Sequence, residues 1–434
     1  MGWLTETARL RLQLAGMAAL EAGFLVLRAR PYGAAAHALL ALTLLLTVLA
    51  AVAIAFAPRQ PGERLLAWLM HVAASRSRAI AVVLLATLAV GGVGVVTQQV
   101  FSWDERAVLQ AADLVASEGV HGLFLHYNDN AWLGPQHPPL VPLLYGAVAC
   151  AFGVHLKLLR VANLLFGCGT VVMAFLVVER LYDRRRALVA SLLLLASPLF
   201  VRIASAATND MPLMFFFVAA VLLALHLERS ERDGVAVLLG LVIGLGLLVK
   251  YTMLLVFPVL LALAWQLGRL PLARRHAPVV LAIAFAFLLA WLDQAYALGV
   301  LAAQQHRLGR LAGVAMRNPH WVFDAIVSKT PAALGVYVVP WMICGVLAAL
   351  WRRTLEEVFA LWWIALVFVP LLLTLPDNRY FLPAYPALAV LAASALLARP
   401  RVAGQALLLA WLLCAVSLLF YARIDLAQRA FLFG

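Results

Sequence analysis

Charge is scarce in this chain. Asp, Glu, Lys and Arg make up 12% of its 434 residues, about half the roughly 25% usual in soluble domains. Hydrophobic residues make up 65%. No water-soluble fold can hide that much apolar surface, so lipid must be the solvent for most of it. Lysine is nearly missing: Lys157, Lys250 and Lys329 stand among arginines. No basic run interleaves with aromatics, which removes the nucleic-acid reading that a formal charge of +13 would otherwise invite. In a membrane protein such residues mark cytoplasmic loops instead. Cys150, Cys168, Cys344 and Cys414 sit in apolar stretches without metal-ligand spacing and read as small buried hydrophobes. Neither an appended soluble domain nor an internal repeat of the kind that favours secondary transporters is visible.

What is abundant is apolar sequence in lengths that suit a bilayer. A helix needs about 20 apolar residues to cross the hydrocarbon core. Stretches that meet or approach this are 34–57, 79–101, 158–178, 187–205, 211–227, 234–249, 252–268, 277–298, 331–350, 357–375, 383–398 and 403–421. The first is too long for a signal-peptide core, and Pro58 follows Ala55-Phe56-Ala57, so a retained span is expected. Residues 10–27, with Glu21 at the centre, suit an interfacial helix or a short span. The fold expected is an all-α polytopic bundle of about 12–14 spans. Its expected parts are an N-terminal membrane extension (1–78), a core (79–300) and C-terminal helices (301–434).

Arginines orient this bundle. Arg64 and Arg76, Arg180 and Arg184–186, Arg229 and Arg232, Arg269 and Arg274, Arg352 and Arg353, and Arg399 and Arg401 mark loops of one, cytoplasmic side. They agree with one another if the short stretch 139–154 dips in and returns, or if it pairs with another unrecognised crossing. Residues 102–157 then form one long outer segment, and 206–210, the turn at Lys250, 299–330 and 376–382 lie on that same side. Long outer segments usually carry function.

The chemistry-bearing residues gather there. Asp104 and Glu105 follow Trp103 where span 79–101 surfaces; two adjacent carboxylates could supply a general base, hold a cation, or merely solvate a helix end. Asp210 stands alone between apolar spans and also suits an N-cap ahead of Pro212. Lys250 interrupts two spans almost without a loop, which costs a few kcal/mol unless it snorkels or finds an anion. Arg379 is on that side too, beside a ready partner in Asp377. His137, in Gln136-His137-Pro138-Pro139, completes the set. Acids suit removal of a proton from a hydroxyl, and cations suit a departing phosphate. Tyr127, Trp132, Arg202, Asp293 and Tyr380 could line the same cavity, although aromatics also populate membrane interfaces and Arg202 could snorkel.

The order of these motifs resembles the GT-C glycosyltransferases, closest to the branch with protein O-mannosyltransferases and lipid A aminoarabinose transferases. Trp103-Asp104-Glu105, His137-Pro138-Pro139-Leu140, Asp210, the basic turn Tyr182-Asp183-Arg184-Arg185-Arg186 and Arg379-Tyr380-Phe381-Leu382-Pro383 carry the likeness, across about 79–400. The resemblance implies that Asp104 is the catalytic base, with Glu105 and Asp210 supporting acceptor or sugar. In the aminoarabinose transferases a lysine commonly precedes the Pro-Pro pair; here His137 stands there, which leaves more of the phosphate work to Lys250 and Arg379. The implied partners are a polyprenyl-phosphate sugar donor and a hydroxyl acceptor. The resemblance implies no certain cofactor: the Asp104–Glu105 pair could bind a divalent metal, though relatives of this branch are not generally thought to need one. The implied location is a bacterial inner membrane with the site facing outward. Two rival classes remain: a transporter or flippase of a lipid-linked or anionic solute, which needs polar residues through the midplane, and a non-catalytic scaffold, which tolerates loss of the acids.

Overall fold

The computed structural model describes residues 60–98, 103–130, 133–134, 137–311, 317–374 and 377–423, besides a few isolated positions near the N terminus. The expected stretch 34–57 and, apart from those isolated positions, the stretch 10–27 lie outside the described residues. In chain order the helices are α1 (Gln60–Ala73), α2 (Arg76–Thr97), α3 (Trp103–Leu125), α4 (Leu140–Phe152), α5 (Leu156–Leu181) and α6 (Arg184–Leu195). Next come α7 (Pro198–Ala204), α8 (Asp210–Ser230), α9 (Asp233–Val249), α10 (Val256–Gln266), α11 (Leu270–Ala297) and α12 (Val300–Leu311). The chain ends through α13 (Pro319–Asp324), α14 (Thr330–Leu334), α15 (Val339–Arg352), α16 (Leu355–Thr374), α17 (Tyr385–Leu397) and α18 (Pro400–Arg423). Among the described residues, six helical segments are long and apolar enough to cross a bilayer, or up to eight if each bent pair counts as one span. Shorter apolar helices, α9 and α10 among them, fill the remaining places in the bundle.

Two stretches that read as single spans are broken. Residues 187–205 divide into α6 and α7, bent by 76°. Pro198 cannot donate to the helix ladder, and the residue before a proline is pushed out of helical conformation. A carbonyl at the break is answered by a distant partner, Tyr337 Oη donating to Ala196 O at 2.8 Å, and Ser197 Oγ in turn donates to Ala333 O, beside the second break, at 2.9 Å. A break inside a membrane is tolerated when its polar groups are answered in this way. Residues 331–350 likewise divide at Gly335 (φ 87°) into α14 and α15. The α4 helix has 13 residues, or about 20 Å, too short for a core of about 30 Å. It packs against α3 as part of the outer segment.

The contacts sort the loops into two ends, as the arginines indicated. At the basic end Arg76 pairs with Glu179 at 2.8 Å, Arg184 donates to Ala74 O at 3.1 Å, and Tyr182 Oη donates to Glu356 O at 2.8 Å. Arg269 joins this end through Glu228 at 3.1 Å. The α1 helix crosses α18 closely: a Cβ on Gly404 would lie 1.8 Å from Gly62 O. The basic turns thus share one face, and the acids and cations of the candidate site lie at the other end of the same helices.

Candidate active site

The site is assembled at helix ends, where the chain must leave the apolar core. Asp210 is the first residue of α8; it does not cap the helix, and Asn209 in the N-cap position makes no side-chain cap bond. The Asp210 carboxylate turns to Lys250, whose Nζ donates to Oδ1 at 2.6 Å. Lys250 is the extended C-cap of α9, set at the step into the 3₁₀ turn Tyr251–Leu255. Its ammonium also sits 3.8 Å from the centroid of the Tyr380 ring, a favourable seat for a desolvated cation. Asp210 is 3% exposed, so its charge needs such a partner.

Arg379 reaches the same place from the 3₁₀ turn Asn378–Ala384, whose N-cap Asp377 accepts the Arg379 N–H. Its guanidinium bonds Asp377 at 3.1 Å, stands 3.9 Å from Asp210, and forms a direct ion pair with Asp104 in the first turn of α3. One arginine therefore bridges three carboxylates from three elements, and the anticipated Asp377–Arg379 pair coexists with the site contacts. His137 is buried and within electrostatic reach of Asp210. The structure thus brings together Asp104, Asp210, Lys250, Arg379, Tyr380 and His137.

Glu105 goes elsewhere. Consecutive helical residues point about 100° apart, so Glu105 turns into the bundle while Asp104 turns to Arg379. It is fully buried, accepts from Arg160 Nε at 2.8 Å and Nη2 at 3.0 Å, and accepts the Ala207 N–H at 3.0 Å. The two carboxylates are therefore aimed at separate arginines and do not converge on one ion. Among the described residues no group of three His, Cys, Asp or Glu side chains is placed to hold a metal.

Of the remaining candidates, Tyr127 is buried beneath the outer segment, its Oη donating to His137 O at 2.9 Å and its ring 5.3 Å from that of Trp291. It supports His137 and presents no open face for stacking. Asp293 is exposed on α11. Arg202 is buried and lines a separate cavity of about 390 Å³ with Gln98, Ser205 and Trp411. Trp132 lies outside the described residues.

Several residues that shape the site were not singled out in the sequence. Arg160 and Asn163 lie three apart on one face of α5, and Arg160 ties the start of α3, through Glu105, to the end of α2, through Gln98 O. Asn163 donates to Ile203 O at 2.7 Å and Ala204 O at 3.1 Å, satisfying the end of α7 so that the chain can turn toward Asp210. A second chain of bonds fixes the outer segment: Trp291 Nε1 donates to Tyr251 Oη (2.7 Å), which donates to Gln304 Oε1 (2.6 Å), and Gln304 Nε2 donates to Gly134 O (3.1 Å). The signal for Arg160 was available, since a charge inside an apolar helix is functional or paired by default.

Residues 136–292 match the sequence profile of the family described as dolichyl-phosphate-mannose-protein mannosyltransferase. That stretch includes His137, Asp210 and Lys250 but neither Asp104 nor Arg379. No curated protein matches the chain in sequence. Among solved structures, ArnT from Cupriavidus metallidurans bound to undecaprenyl phosphate is similar, with TM-score 0.52 and 19% identity, over 74% of this chain and 60% of that one. The Archaeoglobus fulgidus oligosaccharyltransferase in complex with Zn and sulfate is similar with TM-score 0.57 and 17% identity, over 78% and 53%. The same archaeal enzyme, AglB, with an inhibitory peptide and a dolichol-phosphate gives TM-score 0.54 and 16% identity, over 84% and 56%. The chain spans between 53% and 60% of the lengths of these proteins. At such identity the likeness is one of fold, and the fold is that of the GT-C glycosyltransferases.

Proposed function

We propose that this GT-C-fold membrane protein is a glycosyltransferase, moving a sugar from a polyprenyl phosphate to an acceptor hydroxyl on the non-cytoplasmic face. The observation that carries this reading is the cluster joining Asp104, Arg379, Asp210 and Lys250 at the end of the bundle opposite the basic turns. Asp104 accepts the acceptor's hydroxyl proton as the oxygen attacks the anomeric carbon. The carbon–oxygen bond to the carrier phosphate breaks, and configuration inverts. The phosphodiester becomes a phosphomonoester with one more negative charge, which Lys250 and Arg379 neutralise. Asp210 holds Lys250 in place, His137 closes the site from the outer segment, and Glu105 anchors the helix that presents Asp104. The donor set at Asp104 and Glu105 does not suit a metal, because the two carboxylates are aimed at separate arginines. A bacterial inner membrane with the site toward the periplasm suits this chemistry.

Native mass spectrometry of the protein extracted from its own membrane tests the donor. A polyprenyl phosphate, bare or glycosylated, is expected on the wild type and on Asp104→Asn, and is expected to be lost from the Lys250→Ala/Arg379→Ala double variant. Asp104→Asn should also lose about 10²–10⁴-fold in turnover, the usual contribution of a positioned base. A wild-type protein that retains no such lipid even after one is added would overturn the reading.

A further inference from the structure

At the basic end of the bundle arginines converge in excess of the acids that could answer them. Gly169 lets α5 and α8 approach closely: a Cβ there would stand 2.6 Å from the Phe215 ring. Both helices are long and apolar enough to span a bilayer, and each has an arginine in its last turn, Arg180 on α5 and Arg229 on α8. One cation per helix end complements the helix dipole, but these two also meet. Arg180 Nη2 lies 3.5 Å from Nδ1 of His226, and Arg229 stands three residues on, along the same face of α8. Arg76, at the start of α2, joins from a third helix through Glu179, the neighbour of Arg180. Arg180 is within electrostatic reach of both Arg76 and Arg229. The acids at this end are already taken. Glu179 pairs with Arg76 at 2.8 Å and with Arg184 at 2.7 Å, Glu228 and Glu231 face Arg269, and Asp183 pairs with Arg186. Among the described residues Arg180 Nη1 is buried without a hydrogen-bond partner, and no carboxylate forms an ion pair with Arg180 or Arg229.

We infer that Arg180 and Arg229, with Arg76 beside them, form a binding site for a phosphate group at the basic face, carried by an anionic lipid headgroup or by a soluble phosphate. Guanidinium forks match phosphate oxygens two at a time, and here two forks come from different helices. Arg76, Arg180, Arg184 and Arg229 are set against Glu179 alone, so the cluster carries three positive charges in excess. A phosphate answers the Arg180 donor and relieves the repulsion among the arginines. The cluster stands at the ends of two spans, the depth at which lipid phosphates lie, and it is open to the aqueous side through exposed Arg229 and His226. A generally basic surface is a different thing: Arg274 and Arg275 on α11 are both exposed, whereas Arg180 is half-buried and faces other cations. Asp210 begins α8 and Arg229 nearly ends it, about 28 Å away by the helix rise. The site is therefore separate from the proposed transfer chemistry, and neither reading depends on the other. A phosphate held here ties the ends of α2, α5 and α8 together.

The experiment uses the full-length protein, delipidated in a neutral detergent, with two probes. Phosphatidylglycerol is titrated and its binding read by native mass spectrometry; inorganic phosphate is titrated without lipid and read by the melting temperature. Two double variants remove the same charge from the same face: Arg180→Gln/Arg229→Gln in the cluster and Arg274→Gln/Arg275→Gln outside it. The cluster variant is expected to bind the effective probe at least about tenfold more weakly, the equivalent of losing a hydrogen bond between charged groups. The outside variant is expected to change by less than about twofold, as for a charge that only adds to the general field. Phosphatidylglycerol binding with no response to inorganic phosphate assigns the site to a lipid headgroup. A melting temperature raised by inorganic phosphate in the wild type, and unmoved in the cluster variant, assigns it to a soluble phosphate. Equal weakening in both double variants, weakening in neither, or no binding of either probe would overturn the site. Should the cluster variant not fold, Arg229→Gln alone repeats the test, since that exposed side chain has no ion pair to lose; a weakening of at least about threefold is then expected.

Discussion

Two adjacent acids at the start of α3 are assigned different work, and Glu105→Gln separates the two. Glu105 is fully buried and Arg160 is 3% exposed, so their charges are balanced away from water. The glutamine keeps the size and one acceptor for the Ala207 N–H but leaves the Arg160 guanidinium buried without its counter-charge. Removing one partner of such a pair typically costs about 3–5 kcal/mol. Glu105→Ala should lose more, because it also orphans the Ala207 N–H, worth a further ~1–3 kcal/mol. Asp104→Asn should change stability by about 1 kcal/mol or less, since Asp104 is 23% exposed and Arg379 keeps Asp377 and Asp210. Reversible unfolding of the purified protein in mixed micelles gives the three differences directly. The expected order is Glu105→Ala, then Glu105→Gln, then Asp104→Asn. A Glu105→Gln protein as stable as the wild type, yet as deficient in turnover as Asp104→Asn, would refute the anchor and return Glu105 to the reacting group.

Two further substitutions probe the frame around the site. Tyr251→Phe removes the hydroxyl that links Trp291 to Gln304 and leaves buried Gln304 short of a partner, a local loss of ~1–3 kcal/mol. Hydrogen exchange should then quicken in 126–139, while the Lys250–Asp210 pair and carrier retention persist; unchanged exchange there would mean the bond chain does not hold the segment. Gly244→Leu places side-chain atoms against Phe287 and should destabilise by about 1–3 kcal/mol through overpacking. Equal stability to the wild type would mean α9 and α11 are free to separate.

How much of this could be read from the sequence follows from where each signal resides. Apolar length and arginine placement are local, and the contacts of Arg76, Arg184 and Arg269 gather these turns at one end, in agreement with that reading. Lys250 and Asp210 were legible because a charge that interrupts apolar sequence has few tolerable surroundings. The break at Ser197-Pro198 escaped a reading by apolar length because proline is not polar, only unable to donate. Arg160 carries the same signal as Lys250, but its partner Glu105 lies 55 residues away. The separation of Asp104 from Glu105 depends on which helix meets each face of α3. That is a tertiary fact, invisible even when the 100° step is known.

The charges of the assembled site also constrain how the proposed reaction must run. Asp104, Asp210 and Asp377 face Lys250 and Arg379, so without substrate the cluster holds one more negative than positive charge when His137 is neutral. An arriving phosphodiester must therefore compete with carboxylates for Arg379, and Asp104 is the most exposed of the three. It is the one most readily given up to the acceptor. In the proposed reaction carrier binding would thereby free the base, whereas an acceptor arriving first would meet an aspartate still held by arginine. Once the hydroxyl proton moves to Asp104, the site loses a negative charge as the leaving phosphate gains one. The two cations face the same total charge on both sides of the transition state. A low-dielectric cluster can stabilise that redistribution without taking in or expelling an ion.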